Sequence, residues 1–197
     1  RRQILTRIGL GTIATGVAIV RSAVAKPIAY GSSKNSPAPS VPPPAEAATQ
    51  TKGSQSLPEF QGIQQWLNSN PLSLADLKGN VVLIQFWTFA CINCQRTLPY
   101  VVGWNEKYAE KGLQVIGIHT AEFPFERDIN NIKNALKKHK ITYPVPVDNQ
   151  FQTWKAYSNE YWPHLFLADR QGIIRYDRIG EGAYDTTEQT IQKLLEG

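Results

Sequence analysis

The segment that most constrains the fold of this chain is an apolar run followed at once by two cysteines. Val81–Trp87 is rich in β-branched, aliphatic and aromatic residues and follows the turn dipeptide Gly79-Asn80, a pattern typical of a buried strand. The sequence Cys-Ile-Asn-Cys comes next at residues 91–94, and the residues after it have the spacing of a helix whose first turn would hold both cysteines. Because free N–H groups at a helix N-terminus favour a thiolate, this segment predicts a dithiol redox site.

Three other roles for the cysteine pair fit the sequence less well. A structural disulfide stabilises most when it closes a long loop, and a two-residue spacer closes almost none. A zinc site needs about four ligands, and beyond these two cysteines the soft ligands in the chain are His119, His139 and His164. A c-type haem would need a histidine directly after Cys94, where Gln95 stands. The pair is therefore interpreted as redox-active, with no metal and no organic cofactor expected.

The N-terminal residues 1–26 have the composition of an export signal. Arg1 and Arg2 precede the apolar stretch Ile8–Val20, and residues 23–25 have the small-x-small form of a signal-peptidase site. The paired arginines and the glycine- and threonine-diluted apolar stretch indicate the twin-arginine route. An uncleaved membrane anchor is the alternative, because the two kinds of segment overlap in composition. We expect export to a periplasm or an equivalent lumen, with tethering through the N-terminus left open.

The net charge of +5 belongs to this signal and not to the rest of the chain. Residues 1–25 contain four arginines and no acidic residue, which leaves 17 of the 21 basic and all 16 acidic residues in 26–197. A nearly neutral remainder has no electrostatic basis for binding a polyanion. We therefore expect no nucleic-acid partner.

Composition divides the rest of the chain into a linker and one domain. Residues 27–56 are rich in proline, serine and alanine and have too few large apolar side chains to form a core, which predicts an extended linker. Residues 57–197 suit one domain. After a short lead-in at Leu57–Ser69, the predicted elements are the strand Val81–Trp87, the cysteine helix to about Glu110, the strand Leu113–His119, a helix at 128–139, the strand Val145–Val147, the short helix Phe151–Tyr157, a hairpin of His164–Ala168 and Ile173–Ile179, and the helix Thr187–Leu195. This order predicts an α/β fold with a central mixed β-sheet flanked by helices.

The active-site segment resembles that of the thioredoxin fold. Phe86-Trp87 lies four residues before the cysteine pair and Pro99 five residues after Cys94, and the helix at 128–139 looks like the helical insertion of the exported TlpA-like branch. From about Leu57 to the C-terminus the chain is similar to the thioredoxin-like domain of DipZ-type thiol–disulfide oxidoreductases. The motifs that carry this similarity are Phe86-Trp87-Thr88 with Cys91-Ile92-Asn93-Cys94, Thr97-Leu98-Pro99-Tyr100, Trp104-Asn105-Glu106-Lys107-Tyr108, His119-Thr120-Ala121-Glu122-Phe123, Tyr161-Trp162-Pro163 and Gly180-Glu181-Gly182.

The resemblance implies roles for four residues. Cys91 would be the attacking thiol and Cys94 the resolving thiol of a redox-active disulfide. Pro163 would be a cis-proline beside the cysteines, where the preceding backbone pairs with the substrate. Trp162 would be a bulky group at that docking surface, although an ordinary core aromatic is an equal alternative. Disulfide-containing proteins would be the substrates, and a membrane thiol carrier would supply electrons.

The chain departs from the wider family where proton acceptors are concerned. Ala90 precedes the first cysteine where a tryptophan is common, Gln85 occupies the position of the buried carboxylate of thioredoxins, and Thr97 replaces a carboxylate common in TlpA-like reductases. The usual acceptors for the proton of the resolving thiol are therefore absent. The candidates to replace them are Glu122, His119 and His164, or water, with ordinary polar roles as the alternative for each.

The sequence favours an exported thiol–disulfide oxidoreductase that acts as a protein-disulfide reductant. The same chemistry run as a disulfide oxidase or isomerase is one alternative. A redox-inert thioredoxin-like module that binds peptides beside Trp162 and Pro163 is another. A peroxidase fits less well, because Thr88 and Cys91 supply only part of the expected Thr/Ser-x-x-Cys loop.

Overall fold

The computed structural model describes residues 55–197, and each structural statement below refers to that range. The predicted export signal at 1–26 and the predicted linker up to residue 54 lie outside the described residues. Gln55 and Ser56 already contact the domain: Ile174 N–H donates to Gln55 O at 2.8 Å, and Ser56 forms an isolated β-bridge with Ile173. Within 55–197 no helix has both the length and the apolar composition needed to cross a membrane.

Six strands and five helices make up the described chain, together with 3-10 turns at Ala109–Lys111 and Pro124–Arg127. The strands are β1 (Gln65–Leu67), β2 (Val81–Trp87), β3 (Leu113–His119), β4 (Val145–Val147), β5 (His164–Ala168) and β6 (Ile174–Ile179). The helices are α1 (Leu74–Leu77), α2 (Ile92–Tyr108), α3 (Ile129–Lys138), α4 (Gln152–Ala156) and α5 (Tyr184–Glu196). The predicted bounds of β2, β3, β4 and β5 are confirmed. The predictions omitted β1, which lies inside the lead-in, and α1.

The strands form one mixed sheet in the order β1-β4-β3-β2-β5-β6. The three central strands β4, β3 and β2 are parallel to one another, whereas β1, β5 and β6 each run antiparallel to the neighbour that they join. Parallel strands are buried on both faces by crossover helices, which accounts for the continuous apolar sequence of β2. The prediction of an α/β fold with a mixed sheet flanked by helices is confirmed.

The two faces of β2 contribute to two separate cores. Leu83 and Trp87 face a core shared with α2, α3 and α5, whereas Ile84 and Phe86 face a core shared with α1 and α4. All seven residues of β2 are buried. Each large apolar side chain removed from water contributes about 1.5–3 kcal/mol, so β2 is a major source of the stability that holds the site in place.

Strand register brings three separate chain segments to one end of the sheet. Trp87, the last residue of β2, pairs with His119, the last residue of β3. Phe86 pairs with His164, the first residue of the antiparallel strand β5. The cysteine segment after β2, the loop after β3 and the Trp162-Pro163 pair before β5 therefore meet at this edge, which we call the cysteine end of the sheet.

Candidate dithiol active site

Cys91 lies at the N-cap of α2, one residue before the helix, and not within its first turn as predicted. Its Sγ accepts a hydrogen bond from the backbone N–H of Cys94 at 3.2 Å. An N-cap side chain normally satisfies the free N–H groups of the first turn through oxygen, and here sulfur takes that position. Cys91 is partly exposed, and both cysteines are free thiols.

The surroundings of Cys91 stabilise its thiolate. A hydrogen bond from the Cys94 side chain, with further bonds from the backbone N–H groups of Cys94 and Asn93, lowers the pKa of Cys91 from 9.0 to about 7. Partial burial and the charge of Glu122 act in the opposite direction. Because the donors prevail, a substantial fraction of Cys91 is thiolate at neutral pH.

Cys94 has the opposite environment although it lies only one helical turn away. It is completely buried in the core shared with α2. Burial, followed by its hydrogen bond to Cys91, raises the pKa of Cys94 above the ordinary thiol range. At neutral pH Cys94 is therefore a protonated thiol, and its hydrogen bond stabilises the thiolate of Cys91.

Trp162 and Pro163 reach the attacking sulfur through the backbone. The peptide bond between them is cis, as the resemblance implied. The carbonyl oxygen of Trp162 lies 3.9 Å from Cys91 Sγ. The Trp162 side chain packs against both cores, and its Nε1 donates to the Thr120 carbonyl at 3.0 Å. The backbone of Trp162 thus lies beside the sulfur of Cys91, while its ring packs against the two cores.

The three candidate proton acceptors lie in different environments. Glu122 is exposed, and its charge raises the pKa of both cysteines. His119 is fully buried, and burial lowers its pKa to about 4. His164 is held between Asn159 Oδ1 at 2.6 Å and Asp177 Oδ2 at 3.2 Å. Among residues 55–197 none of the three forms a hydrogen bond with either sulfur, so the role of acceptor stays a prediction for each.

Two positions that depart from the family differ in whether their polar groups have partners. The Thr97 hydroxyl donates to the carbonyl of Asn93, one turn back in α2, at 2.9 Å. Gln85 is completely buried on the same face of β2 as Trp87, and neither its Oε1 nor its Nε2 has a partner among the described protein atoms. In the described part of the chain no group of three or more His, Cys, Asp or Glu residues is placed to hold a metal ion.

Glu126 is a site residue that the sequence reasoning missed. It is fully buried in the 3-10 turn after β3. Its Oε1 accepts hydrogen bonds from the Thr88 hydroxyl and, at 2.9 Å, from the Ala90 N–H, directly before Cys91. Pro124 at the start of a turn with a glutamate two residues later is half of a helix-start signal. That signal could have predicted a bond to the turn's own backbone, but not one to Ala90.

Large apolar side chains are exposed around the cysteines. Ile92 follows Cys91, Tyr161 precedes Trp162, and Phe123 and Phe125 lie in the loop that Glu126 ties to Ala90. These four side chains are each between 47% and 57% exposed. Of these, Phe123 and Phe125 stack with ring centroids 5.8 Å apart, so they form a small exposed apolar patch beside the loop.

Comparison with known proteins identifies the family. The model of the AhpC/TSA family matches residues 54–177, which include both cysteines, Glu126 and Pro163. The chain belongs to the AhpC/TSA family. The protein DipZ of Mycobacterium tuberculosis is 42% identical over 153 residues, which cover 76% of this chain and 22% of DipZ. The thiol-disulfide oxidoreductase ResA of Bacillus cereus is 30% identical over 128 residues, which cover 65% of this chain and 71% of ResA.

Solved structures agree on the architecture of this AhpC/TSA chain. A thioredoxin-like protein in its oxidised form superposes with a TM-score of 0.67 at 29% identity, covering 73% of this chain and 96% of that one. The thioredoxin fold predicted from the sequence is confirmed, as is the resemblance to TlpA-like and DipZ-type oxidoreductases. The chain nevertheless spans only about a fifth of the length of DipZ.

Proposed function

We propose that this protein is an exported thiol–disulfide oxidoreductase that reduces disulfides in protein substrates through Cys91 and Cys94. The observation that carries the proposal is the inequality of the two sulfurs. One is partly exposed at a helix N-cap with a pKa lowered to about 7, and the other is buried and stays protonated. Relatives named as thiol-disulfide oxidoreductases support the same class of chemistry.

The reaction proceeds by two thiol–disulfide exchanges. The Cys91 thiolate attacks one sulfur of the substrate disulfide, the substrate S–S bond breaks, and the released substrate thiolate takes up a proton. Cys94 then loses its proton and attacks Cys91 Sγ in the mixed disulfide. The Cys91–Cys94 disulfide forms, the second substrate thiolate leaves and is protonated, and two electrons have passed to the substrate.

Two features favour a protein as the substrate. The Trp162 carbonyl beside Cys91 Sγ is positioned to accept a backbone N–H from an extended peptide, with Pro163 shaping the same surface. The exposed side chains of Ile92, Phe123, Phe125 and Tyr161 offer an apolar border for the segments around a substrate cysteine. We assign substrate docking to Trp162 and Pro163 on this basis.

The direction of electron flow is proposed from the acidity of Cys91. A value of about 7 matches the thioredoxin-like end of the range for such thiols, whereas the oxidant DsbA has a pKa of about 3.5. A low thiol pKa stabilises the reduced form and makes a stronger oxidant, so a Cys91 pKa of about 7 favours a reductant. Outside the cytosol a reductant must be resupplied, for which we propose a membrane thiol carrier.

Export is proposed from the twin-arginine pattern of residues 1–26. In this proposal residues 27–56 form a linker that separates the signal from the domain at 57–197. Replacing both Arg1 and Arg2 by lysine should leave the protein in the cytoplasm. Undiminished export of that variant would favour a general secretory signal or an anchor.

The test of the dithiol function compares the two single serine variants. Cys94→Ser should accumulate mixed disulfides with substrate proteins, because attack by Cys91 continues while resolution is lost. Cys91→Ser is the matched control and should trap almost none. Equal trapping by both variants would contradict the proposed roles. A measured reduction potential of about −270 mV would support a reductant. A potential of about −120 mV would support an oxidase.

A further inference from the structure

Glu126 joins two segments at the cysteine end of the sheet through hydrogen bonds to both of its carboxylate oxygens. Oε1 accepts from the Thr88 hydroxyl and the Ala90 N–H, while Oε2 accepts from the N–H of Glu122 at 2.9 Å and of Phe123 at 2.8 Å. No salt bridge to Glu126 occurs among the described residues. A buried carboxylate is unfavourable unless donors surround it, so these four bonds define one geometry for both segments.

The segment that Oε1 holds borders both sulfurs. Ala90 is the residue before Cys91, so the Ala90 bond fixes where the chain enters the N-cap of α2. The backbone of Thr88 hydrogen bonds to the Cys94 side chain, which partly offsets the rise in the pKa of Cys94. The Thr88 hydroxyl also lies 3.4 Å from His119 Nε2. Glu126 therefore contacts neither sulfur and reaches both through this segment.

We propose that Glu126 is a positioning residue for dithiol exchange, whose carboxylate fixes the segment before Cys91 and thereby keeps Cys91 Sγ on the N–H groups at the start of α2. The inference rests on the function proposed above, in which the Cys91 thiolate is the attacking group. Glu126 acts through Thr88 and Ala90 and takes no part in proton transfer.

A positioning effect and a direct charge effect predict opposite results. Glu122 is the acidic residue whose charge is among the main causes that raise the pKa of both cysteines, and Glu126 is not among those causes. Removing a nearby negative charge would lower the pKa of Cys91. Releasing Ala90 would instead let Cys91 move away from its N–H donors, and the pKa would rise toward 9.0. The sign of the change distinguishes the two effects.

The experiment measures the pH midpoint of Cys91 alkylation in a Cys94→Ser background of the full chain. Glu126→Gln keeps the shape of the side chain but replaces one of the two acceptor oxygens with an NH₂ donor. We expect the midpoint to rise by about one unit, which lowers the thiolate fraction at pH 7 about fivefold. The conservative variant Glu126→Asp keeps both oxygens on a shorter stem and should give a smaller rise.

A second variant covers the case in which Glu126→Gln does not fold. Thr88→Val removes one donor to Glu126 without changing the buried volume, and it should move the midpoint in the same direction by less. Asp169→Asn is the matched control, because Asp169 is also a buried carboxylate that accepts backbone N–H bonds, at 3.0 Å from Gln171 and 2.9 Å from Ile173. This control should lower stability and leave the Cys91 midpoint unchanged.

The outcomes separate this inference from the proposed function. An unchanged or lower midpoint in folded Glu126→Gln, or in Thr88→Val if Glu126→Gln does not fold, would overturn the positioning role. An equal rise in Asp169→Asn would also overturn it, because the effect would then follow from loss of stability alone. If Cys91 in the reduced wild-type chain titrates like an ordinary thiol, the proposed function fails before any change at Glu126 is measured.

Discussion

The two ends of the central sheet each contain a buried carboxylate, and the two carboxylates are stabilised in different ways. At the hairpin between β5 and β6, Asp169 accepts two backbone N–H bonds and pairs with Arg175 Nε at 2.6 Å. At the cysteine end, Glu126 accepts four hydrogen bonds and forms no salt bridge among the described residues. The first carboxylate closes one tight turn, whereas the second ties together two segments that are distant in the sequence.

The cysteine end also retains buried polar atoms without partners. Within the described chain these include both polar atoms of the Gln85 amide, His119 Nδ1 and Thr120 Oγ1. Each such atom costs stability relative to a satisfied or apolar one. Unsatisfied polar atoms are expected where a fold serves a reaction, and these four belong to residues of β2, β3 and the loop after β3.

The largest effect expected from this comparison is a loss of stability in mild acid caused by His119. Because burial lowers its folded-state pKa to about 4 from 6.5, the unfolded chain binds the extra proton between these values. The free energy of unfolding should therefore fall as the pH drops from 6.5 to 4, by up to about 3 kcal/mol. Urea denaturation across that range should show this slope in the parent and a much smaller one in His119→Leu. An identical slope in both would contradict the assignment.

A smaller effect is expected at Gln85. Gln85→Leu replaces an amide that has no protein partner with an apolar side chain of similar size, so the free energy of unfolding should rise by about 1 kcal/mol. Thr187→Val is the control, since the Thr187 hydroxyl donates to the Ala183 carbonyl at 2.9 Å and lies 3.1 Å from the Tyr176 hydroxyl. That variant should lose about 1 kcal/mol. A loss of stability in Gln85→Leu would show that the amide has partners in solution.

The smallest effect concerns the ion pair at the hairpin end. The Arg175 side chain is half exposed, so Arg175→Gln should lower the free energy of unfolding by about 0.5 kcal/mol or less. High salt should remove most of this difference between parent and variant. The Cys91 alkylation midpoint should stay the same, because Arg175 lies at the other end of the sheet. A shifted midpoint would show that the two ends are linked.

The fold was largely predictable because its central strands are unusual in sequence. β2 and β3 are buried on nearly every residue, and such apolar runs cannot form anything but core elements. β1 was missed because it has only three residues, pairs with β4 alone and buries one side chain, Leu67. The short helix α1 likewise has four residues and buries only Leu77. Elements this short are set by tertiary contacts more than by their own pattern.

The site was predictable only where residue type carries the chemistry. Cys91 and Cys94 have a spacing that indicates redox chemistry, and Pro163 followed from a resemblance. Glu126 was missed, whereas Glu122, four residues earlier, was predicted as a candidate proton acceptor, which stays a prediction. A backbone N–H such as that of Ala90 has no residue-type signature, and Ala90 lies 36 residues from Glu126. Hydrogen bonds of this kind become visible only when the fold has been built.

The measurement that tests the account most directly is the pH dependence of alkylation of each cysteine in the reduced protein, followed separately by mass spectrometry. Cys91 should react with a midpoint near pH 7, because the hydrogen bond from the Cys94 side chain, together with the N-cap N–H donors, lowers its pKa. Cys94 should remain almost unmodified through the same range, because burial raises its pKa and shields the sulfur. Equal rates for the two cysteines, or a Cys91 midpoint at the ordinary thiol value of about 8.5, would contradict the division of roles between them.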